Sequence, residues 1–125
     1  MTAFRKQRDL AFVDHLIAHL RQHHAAAVDG DSSDIPEERL RQRVVDGIRR
    51  ARSYGLTWES AIGGFVALQF VIAPRFDEQF AIHQVLTDSS TPPDERMGLL
   101  NDSISAADWF DASTSAAFSH WPEQA

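Results

Sequence analysis

The chain has 125 residues, a formal net charge of −6 and no cysteine, which sets aside disulfide scaffolds, thiolate metal sites and cysteine catalysis together. Charge is segregated along it: residues 1–75 hold 11 of the 12 Lys and Arg and 9 of the 18 Asp and Glu, for +2, while residues 76–125 hold one Arg and 9 acids, for −8. An acidic block of that size repels nucleic acid and is drawn to basic protein surfaces.

Residues 3–27 place Leu10, Val13, Leu16, Ile17, Leu20 and Ala27 at steps of three and four with charge between them, which predicts an amphipathic first helix. Charges recur through the first twenty residues (Arg5, Lys6, Arg8, Asp9, Asp14), so no signal peptide is expected and the protein is expected in the cytoplasm. After a loop at 29–33, Asp34-Ile35-Pro36-Glu37 has the chemistry of a capped helix start. Leu40, Val44, Ile48 and Ala51 give this second helix one apolar stripe, and Gly55 suits the left-handed position that ends it. The same helix carries Arg39, Arg41, Arg43, Arg49, Arg50 and Arg52, a solvated face or a set of ion-pair donors.

The most apolar run follows, from Thr57 to Pro74, and predicts a central helix over 58–73 with Thr57 as its cap and Pro74 as its stop. At about 16 residues, broken by Gly63-Gly64 and Gln69, it falls short of the roughly 20 that span a bilayer. It is therefore expected to be buried by neighbours on several sides, with another helix crossing closely at the two glycines. Beyond an Arg75-Phe76-Asp77 turn, Phe80, His83, Val85 and Leu86 suggest a short fourth helix. Pro93-Asp94-Glu95 opens a fifth, with Met97, Leu100 and Ile104 facing inward as far as about Ala107. No alternating β-branched run occurs. These signals predict an all-α single domain over 1–125: a bundle of about five helices around a buried central helix, with 108–125 as a C-terminal tail able to dock on it. Ile62, Phe65, Val66, Phe70, Leu40, Val44, Ile48, Leu16 and Leu20 are its expected core.

The catalytic inventory is thin. His15, His19 and His23 lie four apart, the spacing at which helical histidines share a metal, but the apolar stripe of the helix runs elsewhere and no Glu stands among them as a base. Exposed histidines are the simpler reading. Ser119-His120 lacks the context of a triad, and Gly63-Gly64 lacks that of a phosphate loop. The pairs Asp77-Glu78 and Asp94-Glu95 read as helix starts.

Arg49-Arg50-Ala51-Arg52-Ser53-Tyr54-Gly55-Leu56-Thr57, then an apolar helix, then Phe76-Asp77, and later Pro92-Pro93-Asp94-Glu95-Arg96-Met97, make a sequence pattern over about 35–105. It resembles a group of small helical proteins encoded in bacterial type VI secretion clusters, near the spike, its adaptors and its toxic effectors. The group commonly places Pro-Trp before the fourth helix, where this chain has Phe80-Ala81-Ile82. The shared residues are helix punctuation, so the resemblance implies a fold and supplies no catalytic residue.

The resemblance and the acidic block together give the functional expectation: a non-enzymatic protein-binding module associated with a secreted bacterial toxin, as an immunity protein or as an effector adaptor or chaperone. Asp108, Trp109, Phe110 and Asp111 combine acids with aromatic anchors, and Trp121 extends the same patch if the tail folds back. The expected partner is a basic protein, with no nucleic acid, membrane, metal or cofactor, and the chain is expected to be a monomer or weak dimer. The alternatives are a metal-dependent enzyme using His15 and His19, and a structural component of a secretion assembly.

Overall fold

The computed structural model describes residues 6–24 and 37–121. The loop at 29–33, Ala27 and the Asp34 cap lie outside them. Among the described residues there are α1 (Lys6–His23), α2 (Glu37–Ser53), α3 (Glu59–Val71), α4 (Phe80–Leu86), α5 (Pro93–Ser103) and α6 (Ala106–Thr114), with 3-10 turns at Phe76–Glu78 and Ala116–Phe118 and no strand. The protein is all-α. None of these helices is long and apolar enough to cross a membrane. The chain forms two compact units, residues 1–46 and 47–125, whose boundary falls inside α2.

In the first unit, α1 buries Phe12, Val13, Leu16, Ile17 and Leu20, and the start of α2 buries Leu40 and Val44. The inward stripe of α1 begins at Phe12, whereas Leu10, expected in it, is 49% exposed. Two ion pairs, Arg21 with Glu37 at the end of α1 and Asp14 with Arg41 one to two turns away on each helix, set the helices antiparallel. Glu37, whose expected capping box reaches back to Asp34 outside the described residues, pairs with Arg21.

In the second unit, α2 ends in a full Schellman motif. Gly55 stands at φ 95°, its N–H donates to Arg52 O at 2.9 Å, and the N–H of buried Leu56 donates to Ala51 O at 3.3 Å. The helix α3 runs 59–71 rather than 58–73 and buries one face: Ala61, Ile62, Phe65, Val66 and Gln69. Its other face stays partly open, with Val71 46% exposed. The expected cap also differs. Asp94, from the first turn of α5, accepts from the backbone N–H of Thr57 (2.6 Å) and Trp58 (2.8 Å), and the Thr57 hydroxyl donates to it at 2.6 Å. Desolvation pushes the Asp94 pKa up, but the three hydrogen bonds from Thr57 and Trp58 together outweigh it and hold the carboxyl below the usual carboxylate range.

The tight contact lies at Gly47, against the side chains of Gln69 and Val66, and not at Gly64. A β-carbon on Gly47 would stand 2.4 Å from Gln69 Oε1, whereas one on Gly64 would meet only the Met97 methyl at an ordinary 3.6 Å. Gln69, which reads as a flaw in an apolar helix, donates to Pro74 O at 3.0 Å and so ties down the end of α3. α5 packs on both α3 and α4, and its buried Arg96 acts as a clamp. The guanidinium donates to Thr91 O (3.0 Å), Leu86 O (3.0 Å) and Tyr54 O (3.3 Å), serving carbonyls at the ends of α2 and α4 that helix geometry leaves unpaired.

Candidate functional site

A surface helix of nine residues, α6, carries the candidate site. α6 forms where the sequence suggested a tail because Ser105 caps it: the Ser105 Oγ accepts from Asp108 N at 3.1 Å and donates to Asp108 Oδ2 at 3.0 Å. Asp108 thereby sits at the positive end of the helix dipole. At the other end the Ser113 and Thr114 hydroxyls both donate to Phe110 O, at 3.0 and 2.8 Å. Ala112 is fully buried. Phe110, two residues away and so about 200° around the helix, is 67% exposed.

The structure brings Asp108 and Asp111 together through a residue that the sequence did not single out. The buried Gln79 side chain caps α4, its Oε1 accepting from Ile82 N at 3.1 Å. Its Nε2 donates to Asp108 Oδ1 at 3.1 Å and to Asp111 Oδ2 at 3.2 Å. Two anionic oxygens on one amide nitrogen lie within about 6 Å of each other, a separation at which like charges repel. Among the described residues neither carboxylate has a cationic partner; both accept from Gln79, and Asp108 accepts from the Ser105 hydroxyl as well. Trp109 is half-buried. Trp121 does fold back, but onto α3: its ring lies 4.8 Å from that of Phe70, and Arg75 anchors the tail by donating from N to Phe118 O (3.0 Å) and from Nε to His120 O (3.1 Å). The tail is thus docked, with Trp121 spent on the end of α3. Of the residues that suggested the fourth helix, Leu86 is buried, together with Ile82, whereas Phe80 is 74% exposed.

A second polar cluster joins the end of α2 to the turn before α4. Asp77 is fully buried and its Oδ2 accepts from Arg50 Nε and from the Tyr54 hydroxyl, both at 2.7 Å. Arg50 reaches on to Glu78 Oε2 at 2.8 Å, which Arg75 also approaches at 3.3 Å. Desolvation tends to lower the Arg50 pKa, but the Asp77 charge and hydrogen bond raise it overall. The Tyr54 phenol is pushed well above its ordinary value, first by burial and then by its bond to Asp77. His83 Nδ1 lies 3.2 Å from Asp77 O, an acceptor without a proton, so the network assigns the hydrogen to Nδ1. Asp77 and Glu78, which read as a helix start, are ion-pair partners.

The α1 histidines are near one another but open to solvent. The His19 ring stands 4.6 Å from that of His23 and 6.0 Å from that of His24. His19 titrates below its usual value, through desolvation first and then the neighbouring His23, His24 and His15. Among the described residues no group of three or more His, Cys, Asp or Glu is placed to hold a metal ion.

These features define the class, an all-α protein with an acidic and aromatic helix face. Comparison with models of known protein families, with curated proteins and with solved structures finds no match.

Proposed function

We propose that the chain is a non-enzymatic protein-binding module that engages a secreted bacterial toxin in the cytoplasm, as its immunity protein or as the adaptor that loads it for export. The observation that carries this reading is the α6 face: Phe110 is 67% exposed beside the exposed Asp111, and neither Asp111 nor Asp108 has a cationic partner among the described residues. Aromatic anchors with uncompensated charge are what a protein interface uses, the ring for affinity and the charge for fast, salt-sensitive encounter. Many toxins that act on nucleic acid are basic, and the −8 of residues 76–125 complements such a surface. The toxin association itself rests on the resemblance of the pattern over about 35–105 to secretion-cluster proteins.

Co-purification with the products of neighbouring genes, followed by growth rescue against any toxin recovered, tests the proposal. Rescue assigns immunity; binding without rescue, with loss of toxin export on deletion, assigns the adaptor role. Recovery of no basic protein partner refutes both.

A further inference from the structure

Among the described residues the two most exposed large apolar side chains are Phe80 at 74% and Phe110 at 67%, and the fold connects them through a short path. Phe80 follows Gln79 directly, Gln79 Nε2 holds Asp111 Oδ2 at 3.2 Å, and Asp111 follows Phe110. With about 3.8 Å per peptide step and two side chains between, their α-carbons are at most on the order of 20 Å apart. A standard interface covers roughly 800 Å² on each partner, wide enough to take both rings at once. Burying either ring inside the chain would have been the ordinary outcome for a phenylalanine. Between them stand two carboxylates held on one neutral amide, with no cation among their partners.

Resting on the protein-binding reading above, we infer that Phe80 and Phe110 are the two anchors of one docking face, centred on the Gln79-bridged carboxylates, and that this face takes an amphipathic segment of a partner protein that carries Lys or Arg between apolar side chains. The cation relieves the repulsion of Asp108 and Asp111, and the apolar side chains cover the rings. Around Phe110 the surface neighbours one turn away, Ala106, Ala107, Ser113 and Thr114, are small and exposed, so a segment can lie close against α6.

The test uses the full chain, isotope-labelled for NMR, and a synthetic amphipathic helix of leucine and lysine about 14 residues long, the length at which an isolated helix begins to hold. A serine and lysine peptide of equal charge is the control. The expected result is saturable binding of the leucine peptide with shifts confined to 79–82 and 106–114, weakened roughly tenfold or more by Phe80→Ser and by Phe110→Ser separately. Both variants remove exposed rings, so their melting temperatures should match the parent and report on binding alone. Equal binding of the serine peptide, or unchanged affinity in Phe80→Ser, overturns the inference. So does sedimentation showing that the face is already covered by a second copy of the chain. Binding of the peptide with no toxin recovered by co-purification would refute the toxin assignment and leave this face standing; toxin binding indifferent to Phe80→Ser would do the reverse.

Discussion

Asp77→Ala should be the most damaging polar substitution in the second unit. The carboxylate is fully buried and takes two bonds of 2.7 Å, from the Arg50 guanidinium and the Tyr54 hydroxyl. Removing one member of a buried ion pair costs about 3–5 kcal/mol, because the other charge is left without compensation. Arg50 keeps Glu78 at 2.8 Å and its side chain is 26% exposed, so water relieves part of the loss and the lower end applies, about 3 kcal/mol. In urea, with a slope of about 1.5 kcal/mol/M, that lowers the unfolding midpoint by about 2 M. Tyr54 gives an independent readout, since it is the chain's one tyrosine and its phenolate absorbs apart from tryptophan. Its folded pKa is raised, so its contribution to stability is complete below about pH 10 and is lost as pH rises through the folded value. Asp77→Asn should bring the titration back toward the ordinary range. A Tyr54 that titrates at about pH 10 in the parent, together with a loss below about 1 kcal/mol in Asp77→Ala, would refute the account of this cluster.

Phe65→Ala should cost about 3–5 kcal/mol in equilibrium unfolding, since its fully buried ring packs against Phe76 at 5.1 Å and Tyr54 at 5.7 Å. Asp94→Ala should cost about 1–2 kcal/mol and loosen amide-exchange protection at the first turn of α3, as loss of a cap does; because the Asp94 pKa is lowered, the same contribution should fade as pH falls below about 4. By NMR, His19 should protonate below the ordinary imidazole range, because its surroundings first and then its neighbours disfavour the charge. Its protonation should therefore cost rather than add stability below about pH 6.5.

The parts of this fold that were legible in the sequence are those set by local signals. Gly55 ended its helix as its left-handed φ requires, the stripe of Leu40, Val44, Ile48 and Ala51 was buried, and Pro93 opened α5. What escaped depends on residues far apart in the chain. Asp94 caps a helix that starts 35 positions earlier in sequence, so Thr57 looked like the cap because it was the nearest oxygen. The tight seat of the Gln69 side chain against Gly47 escaped notice because Gly63-Gly64 made the louder signal. The capping pattern Ser105-x-x-Asp108 was present and would have marked α6, but alanine and serine give that segment no apolar period to read. In the candidate site, the pairing of Asp108 with Asp111 followed from their three-residue spacing, whereas Gln79 and the outward turn of Phe80 depend on how α4 and α6 come together.

The central claim is that a basic protein docks on the acidic and aromatic face of α6, and the affinity of the co-purified partner for Asp111→Lys tests it most directly. Asp111 is exposed and lies outside the Ser105 cap, so the substitution reverses charge without removing the helix start. The account predicts a loss of about tenfold or more at low ionic strength that shrinks as salt is raised toward 0.5 M, where screening acts over only a few ångströms, about 4 Å. An affinity and a salt dependence equal to those of the parent chain would contradict it.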